Sequence, residues 1–165
     1  MKKAKEAGKT EKAIFAMGCF WGPQLLFDKL PGVLKTRVGY MGGKEDKKEY
    51  SYREVCSDAT GHAEVVEIEF NSEKIAYGKL LDFFWENHDS TQMNRQGPDF
   101  GSQYRSAIFY SDDSQKKLAE KSKEELQKKL KNKITTKIVK AGKFYEAEEY
   151  HQKYLEKKGL ESCHI

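Results

Sequence analysis

The stretch "AIFAMGCFWGPQLLFDKL", residues 13 to 30, runs an apolar segment into a cysteine set between glycines, with Phe20 and Trp21 directly after it. Cys19 is the side chain most suited to chemistry here. If it stands at the N-terminus of a helix, the partial positive charge and unpaired N–H groups of the first turn favour its thiolate. Two aromatic faces beside a thiol form an apolar box that suits a methyl or thioether group. The same two rings would equally serve an ordinary core. Glu64 is the second candidate, since an acid early in the valine-rich "AEVVEIEF" calls for a reason. The three cysteines, Cys19, Cys56 and Cys163, are too widely spaced for a secreted disulfide framework or a zinc knuckle, so redox or catalytic use is expected and no metal site. Cys56 reads as a buried structural thiol. His62 and His88 read as partners of backbone or carboxylate groups, His151 as a helix-packing residue and Glu148 and Glu149 as a solvated helix face.

Residues 12–17 read as a buried strand that delivers Cys19. A helix follows with Pro23 in its first turn and Leu25, Leu26 and Leu30 on its apolar face. "PGV" at 31–33 ends that helix and opens a second strand through Val38, closed by "GYMGG" and the charged "KEDKKEY". Residues 63–70 alternate as a half-buried third strand, and Asn71 or Ser72 offers the cap of a helix carrying Ile75, Leu80, Leu81, Phe84 and Trp85. Residues 87–103 show no periodicity, and so long a loop is usually functional. A strand at 104–110, a helix at 113–131 with a stripe of Leu118, Ser122, Leu126 and Leu130, a strand at 134–140 and a helix over "EAEEYHQKYLEKKG" complete the chain. This order predicts an α+β fold: a ferredoxin-like two-layer sandwich with a split β-α-β core, appended helices and a C-terminal tail.

The 165 residues suit one domain, with 38% hydrophobic and 12% aromatic residues arguing for a folded chain. The net charge of +4 is concentrated in residues 1–12, where Lys2, Lys3, Lys5, Lys9 and Lys12 face Glu6 and Glu11. The remainder is close to neutral, which argues against nucleic acid as a partner. We therefore expect a flexible basic tail at 1–11, a single catalytic domain at 12–165 and a short tail at 160–165. No stretch has the length of a signal h-region or a membrane span, so a cytoplasmic location and a monomer are expected.

"GCFWG", "YREVCSDATGHAEVVEI", "FFWENHDSTQMNRQGPDFGSQYRSAIFY" and "FYEAEEYHQKYL" together, in this order, resemble the signature stretches of the A-type peptide methionine sulfoxide reductases, over roughly residues 12 to 163. The resemblance implies reduction of methionine S-sulfoxide, free or within proteins, to methionine, as in repair of oxidative damage. Cys19 is then the nucleophile on sulfur. Phe20 and Trp21 hold the methyl group, and Glu64 hydrogen-bonds the sulfoxide oxygen and supplies its proton. Tyr52 and Tyr104 donate to the same oxygen, and Asp99 supports the site.

Such roles agree with the chemistry. A sulfoxide oxygen leaves poorly unless protonated, and a carboxylic acid can serve near neutral pH only if burial raises its pKa. The sulfenic acid left on Cys19 condenses with a second thiol, for which the resemblance implies Cys163, nine residues after Tyr154. Thioredoxin or another dithiol would reduce the resulting disulfide, with no further cofactor, and two residues beyond Cys163 leave a single relay as the expectation. Two other classes fit parts of the sequence. A Cys-His acyl-transfer enzyme needs His62 or His88 on the thiol, and an RNA-binding module needs exposed sheet aromatics and a basic surface.

Overall fold

A computed structural model describes residues 9–160. The first strand, β1 (Thr10–Met17), hands the chain through Gly18 and Cys19 to helix α1 (Trp21–Asp28), which returns it to β2 (Val33–Met41). A short helix α2 (Tyr52–Cys56), β3 (Ala63–Asn71) and α3 (Tyr77–Glu86) follow. A two-stranded hairpin of β4 (Arg95–Gln96) and β5 (Asp99–Phe100) leads through a 3-10 turn at Ser102–Tyr104 into β6 (Ser106–Tyr110). Helix α4 (Asp113–Gln127), β7 (Lys137–Lys140), β8 (Tyr145–Glu146), a 3-10 turn at Glu149–His151 and α5 (Tyr154–Lys157) close the described chain.

The main sheet has the strand order β7-β6-β1-β3-β2-β8. Its four inner strands are the antiparallel 6-1-3-2 array expected of a ferredoxin-like split β-α-β fold, with β7 added parallel to β6 and β8 antiparallel to β2. Strand β3 is buried on both faces rather than half-buried as its alternation suggests, because a core cluster covers each side of the sheet there. Because side chains alternate along a strand, Glu64, Val66, Ile68 and Phe70 share one face, and the last three join Phe15, Phe20, Phe27, Leu80 and Phe84 in the larger core. Ala63 and Val65 face the other way, onto Ile14, Ala16, Met41, Ala107 and Phe109. Among the described residues, no helix is long and apolar enough to cross a membrane.

Several elements differ from the sequence reading, each for a local reason. Strand β1 starts at Thr10, which pairs with Asn71, so the ladder takes in the last two residues of the segment expected as a tail. The buried face of α1 is Pro23, Gln24 and Phe27, with Leu25, Leu26 and Leu30 only half-buried. Gln24 can lie inside because its amide donates to Thr36 and accepts from Lys153 N–H. Helix α2 was missed, although Ser51 and Glu54 form a full capping box at its start. Asn71 caps an isolated turn over Glu73, Lys74 and Ile75, and the helix starts only at Tyr77.

Helix α4 ends at Gln127 rather than 131; its buried positions are Gln115 and Ala119, Leu118 is exposed, and Leu130, also exposed, lies beyond the helix. Gln115 and Ser122 satisfy their polar atoms against Lys12 and Trp85, so the inward stripe is partly polar. The expected helix over 146–159 is broken. Tyr145 pairs with Tyr40 on the edge of β2, Ala147 N–H donates to Val38, and the Gln152 side chain both accepts from and donates to Val38. The segment has no continuous apolar face to bury as a helix, and the open backbone of β2 offers it bonds.

Candidate active site

Strand β1 ends at Met17, and the chain must leave the sheet at once to enter α1. Gly18 makes this possible with φ +95°, a conformation side chains resist, while an added Cβ would stand 2.7 Å from Cβ of Gln96 in the β4–β5 hairpin. The hairpin therefore packs directly against the residue before the thiol. A Gly18→Ala variant is expected to lose about 1–2 kcal/mol from the backbone alone, and more from the clash, read as a lower midpoint in urea. A loss no larger than the backbone share would mean that the hairpin is not seated there, and an unchanged midpoint would overturn the positive φ at Gly18 as well.

Cys19 is half-buried and immediately precedes Phe20, the N-cap of α1, so the thiol does stand at a helix N-terminus. Glu64, opposite Tyr40 in the β2–β3 ladder and 1% exposed, bonds the residue that follows the thiol. Glu64 Oε1 accepts from the Phe20 N–H at 3.1 Å, while Oε2 is buried with no hydrogen-bond partner in the protein. Burial pushes the Glu64 carboxyl up to about 8, the Phe20 N–H opposes this, and the charge of Asp99 adds to the rise. At neutral pH the group is mostly protonated. A buried, unpaired polar atom costs stability, so its survival beside a thiol marks a place for a ligand atom.

Tyr52 is the first residue of α2 and Tyr104 the last of the 3-10 turn before β6, so two separate segments supply two phenols. The Tyr52 hydroxyl interacts with Tyr104 and with the thiol of Cys56, one helical turn further on. Burial raises both phenols, Tyr104 to about 12, and Glu64, Cys56 and Cys19 lie close enough to contribute to the Tyr104 rise. Both remain hydrogen-bond donors across the physiological range. Asp99, on the hairpin beside Gln96, is within electrostatic reach of Glu64. Phe20 is 1% exposed and meets Tyr40 and His151, whereas Trp21 is half-buried and stacks on Tyr154 at 3.8 Å.

The fold thus brings Cys19, Phe20, Trp21, Tyr52, Glu64, Asp99 and Tyr104 together. Cys163 lies outside the described residues. Cys56 is exposed, correcting its expected burial, because it closes a five-residue helix on the surface. Sequence reasoning missed Glu148, which accepts from Tyr40 O–H and Tyr52 N–H, and His151, which accepts from the Trp21 indole. A Glu-x-x-His spacing ahead of a tyrosine was the available signal, hidden by reading the segment as one helix.

None of the described histidines can activate the thiol. His62 Nδ1 accepts from Gly43 N–H, His151 Nδ1 from Trp21, and the remaining nitrogen of each has no partner. Both His88 nitrogens are engaged by Phe84 O and Ser106 Oγ, and burial pushes that ring down to about 4. Among the described residues, these bonds do not engage His62 or His88 as the base of a Cys-His acyl-transfer pair. Among the described residues, no cluster of three His, Cys, Asp or Glu side chains could hold a metal ion.

A thiol at a helix N-terminus, with a buried acid bonded to the N–H of the next residue, is an arrangement suited to a thiol-dependent oxidoreductase on a ferredoxin-like fold. The family model for peptide methionine sulfoxide reductase matches residues 11–165. The MsrA of Methanothermobacter thermautotrophicus is 51% identical over 159 residues, covering 95% of this chain and 93% of that one. The crystal structure of Mxr1 from Saccharomyces cerevisiae in reduced form is 42% identical with a TM-score of 0.88, covering 92% of this chain and 87% of that chain. Mxr1 in complex with Trx2 is 29% identical with a TM-score of 0.63, covering 89% and 86%. The chain belongs to the peptide methionine sulfoxide reductase family, in its A-type branch, and it reduces methionine sulfoxide to methionine.

Proposed function

We propose that Cys19 attacks the sulfur of a methionine S-sulfoxide whose oxygen points at Glu64 Oε2, the buried carboxyl oxygen without a partner, and that this unpaired atom beside the thiol carries the assignment. The Cys19 sulfur forms a bond to the substrate sulfur, Glu64 gives its proton to the departing oxygen, and Tyr52 and Tyr104 donate hydrogen bonds to it. Donors aimed at one developing charge, in a site from which water is excluded, are worth more than in solution. Phe20 and Trp21 hold the methyl group, and Asp99 keeps the Glu64 proton in place by its negative charge. The oxygen, released as hydroxide, then attacks the Cys19 sulfur, the bond between the two sulfurs breaks with its electron pair passing to the substrate sulfur, and the products are methionine and a sulfenic acid on Cys19.

Cys163 then resolves that sulfenic acid: its sulfur bonds to Cys19 sulfur and the oxygen leaves as water. The donor that reduces the disulfide is a thioredoxin-type dithiol, with no further cofactor. The similar Mxr1 structure with Trx2 bound favours this donor. Residues 12–165 act as one catalytic domain on free and protein-bound substrate, as a monomer in the cytoplasm. The test is a turnover assay on mixed epimers of a blocked methionine sulfoxide with excess dithiothreitol, followed by chiral chromatography. Loss of the S epimer alone is expected, and loss of the R epimer would overturn the pocket assignment.

Cys163→Ser is expected to keep the first turnover and dithiothreitol-driven activity while losing thioredoxin-driven cycling. Quenching one enzyme equivalent and counting methionine formed checks this. A Cys163 variant that fails in its first turnover would remove Cys163 from the resolving role.

A further inference from the structure

The turn at 148–151 holds two walls of the site at once. An indole Nε1 can only donate, so Nδ1 of His151, 3.0 Å from it, must be the acceptor. His151 is therefore a neutral imidazole whose proton sits on Nε2. That nitrogen is buried without a partner, with Glu148 Oε1 4.0 Å away. Glu148 is committed elsewhere, Oε1 accepting from the Tyr40 hydroxyl and Oε2 from the Tyr52 N–H, each at 2.9 Å. The ring itself is 1% exposed and packed between Phe20, Trp21, Tyr52 and Tyr150.

We propose that His151 is a positioning residue of the substrate pocket, holding the Trp21 indole as a neutral acceptor, and that its protonation releases Trp21 and weakens sulfoxide binding at acid pH. A proton added to Nδ1 sets two N–H donors against each other 3.0 Å apart, and the bond cannot survive. The inference rests on the reading of Trp21 as a wall of the methyl pocket.

The groups facing the ring decide where the switch lies. Phe20 and Trp21 from α1 are uncharged, Tyr52 from α2 and Tyr150 from the turn are neutral phenols, and Tyr40 and Tyr154 reach the ring only through Glu148 and Trp21. Lys153 turns to Asp28, and Lys157 to Glu149. Glu148 is the charged group facing the imidazole among the described residues. Burial lowers the His151 pKa and outweighs the opposing pull of Glu148, so the ring is neutral at pH 7 and gains its proton below the ordinary histidine value of 6.5. Glu64 stays protonated through that range and does not obscure the change.

The test uses the full chain carrying Cys19→Ser, which removes thiol chemistry, and Trp85→Phe, which leaves Trp21 as the sole tryptophan. The dissociation constant of a blocked methionine S-sulfoxide and the Trp21 fluorescence are followed from about pH 5 to 7.5. Affinity is expected to fall about tenfold towards the acid end, along the same curve as the fluorescence. His151→Gln keeps an acceptor oxygen but cannot titrate, so both curves should flatten with neutral affinity retained. Curves that persist in the Gln variant overturn the proposal. A fluorescence curve that depends on His151 while affinity ignores pH overturns the positioning role too, and it locates the failure in the Trp21 pocket reading. If the Gln variant does not fold, nitrogen-15 NMR of the imidazoles in the parent protein decides: a proton on His151 Nδ1 at neutral pH overturns the proposal.

Discussion

Glutamine in place of Glu64 is expected to slow the first sulfoxide-reducing turnover by about 10²–10⁴-fold and to leave the fold in place. The glutamine oxygen can still accept the Phe20 N–H, so the end of α1 keeps its anchor on β3. In the proposed mechanism, what is lost is the proton for the departing oxygen. The sign of the pH dependence follows from which form works. Burial, with the charge of Asp99, raises the Glu64 pKa to about 8, and the protonated form is the acid, so the single-turnover rate should fall as pH rises through about 8. The glutamine variant has no proton to lose there. Rapid-quench single turnovers of the S epimer across that range measure both effects. An alkaline fall that survives the substitution would assign the acid to a group other than Glu64, and other than the phenols of Tyr52 and Tyr104, which burial holds protonated well above that range.

Cys19→Ser should abolish turnover altogether, with every reductant. A hydroxyl is far less acidic than a thiol and forms no stable bond to sulfur that a dithiol could later reduce. Substrate binding should survive, because Phe20, Trp21 and the oxygen-binding groups do not depend on the thiol for their places: Phe20 is buried in the core and Trp21 is held by His151 and Tyr154. Chiral chromatography after prolonged incubation with dithiothreitol is the measurement. Methionine formed by the serine variant would mean that another thiol attacks in its place, either Cys56, which is exposed and interacts with Tyr52, or Cys163. The double variant Cys19→Ser, Cys56→Ser would then settle which sulfur reacts.

These two residues were legible in the chain because local rules govern them. An apolar run into Gly-Cys with a helix behind it states where the thiol stands, and the alternation through 63–70 puts Glu64 on the face of Val66, Ile68 and Phe70. The strand and helix order also suffices for the ferredoxin-like core, since few topologies accommodate it. The helix faces were less legible. Gln24 on α1 and Gln115 on α4 are buried where leucines were expected, since a polar side chain with its bonds satisfied can take an inward position. A hydrophobicity pattern does not register such bonds.

The residues by themselves determined the thiol, the acid, the aromatic pair and the class of fold that carries them. The tertiary structure alone decided what holds these groups. It placed the 95–100 hairpin against Gly18, left Glu64 Oε2 unpaired, and turned the 146–159 segment from an expected helix into a bracket along β2. Through that bracket Glu148 and His151 reach Tyr52 and Trp21, 96 and 130 positions away in the chain. The physical reason is range. Periodicity, caps and turns act over a few residues, whereas a hydrogen bond between distant segments depends on which open sheet edge or buried donor the folded chain presents, and that is set only when the whole sheet has formed.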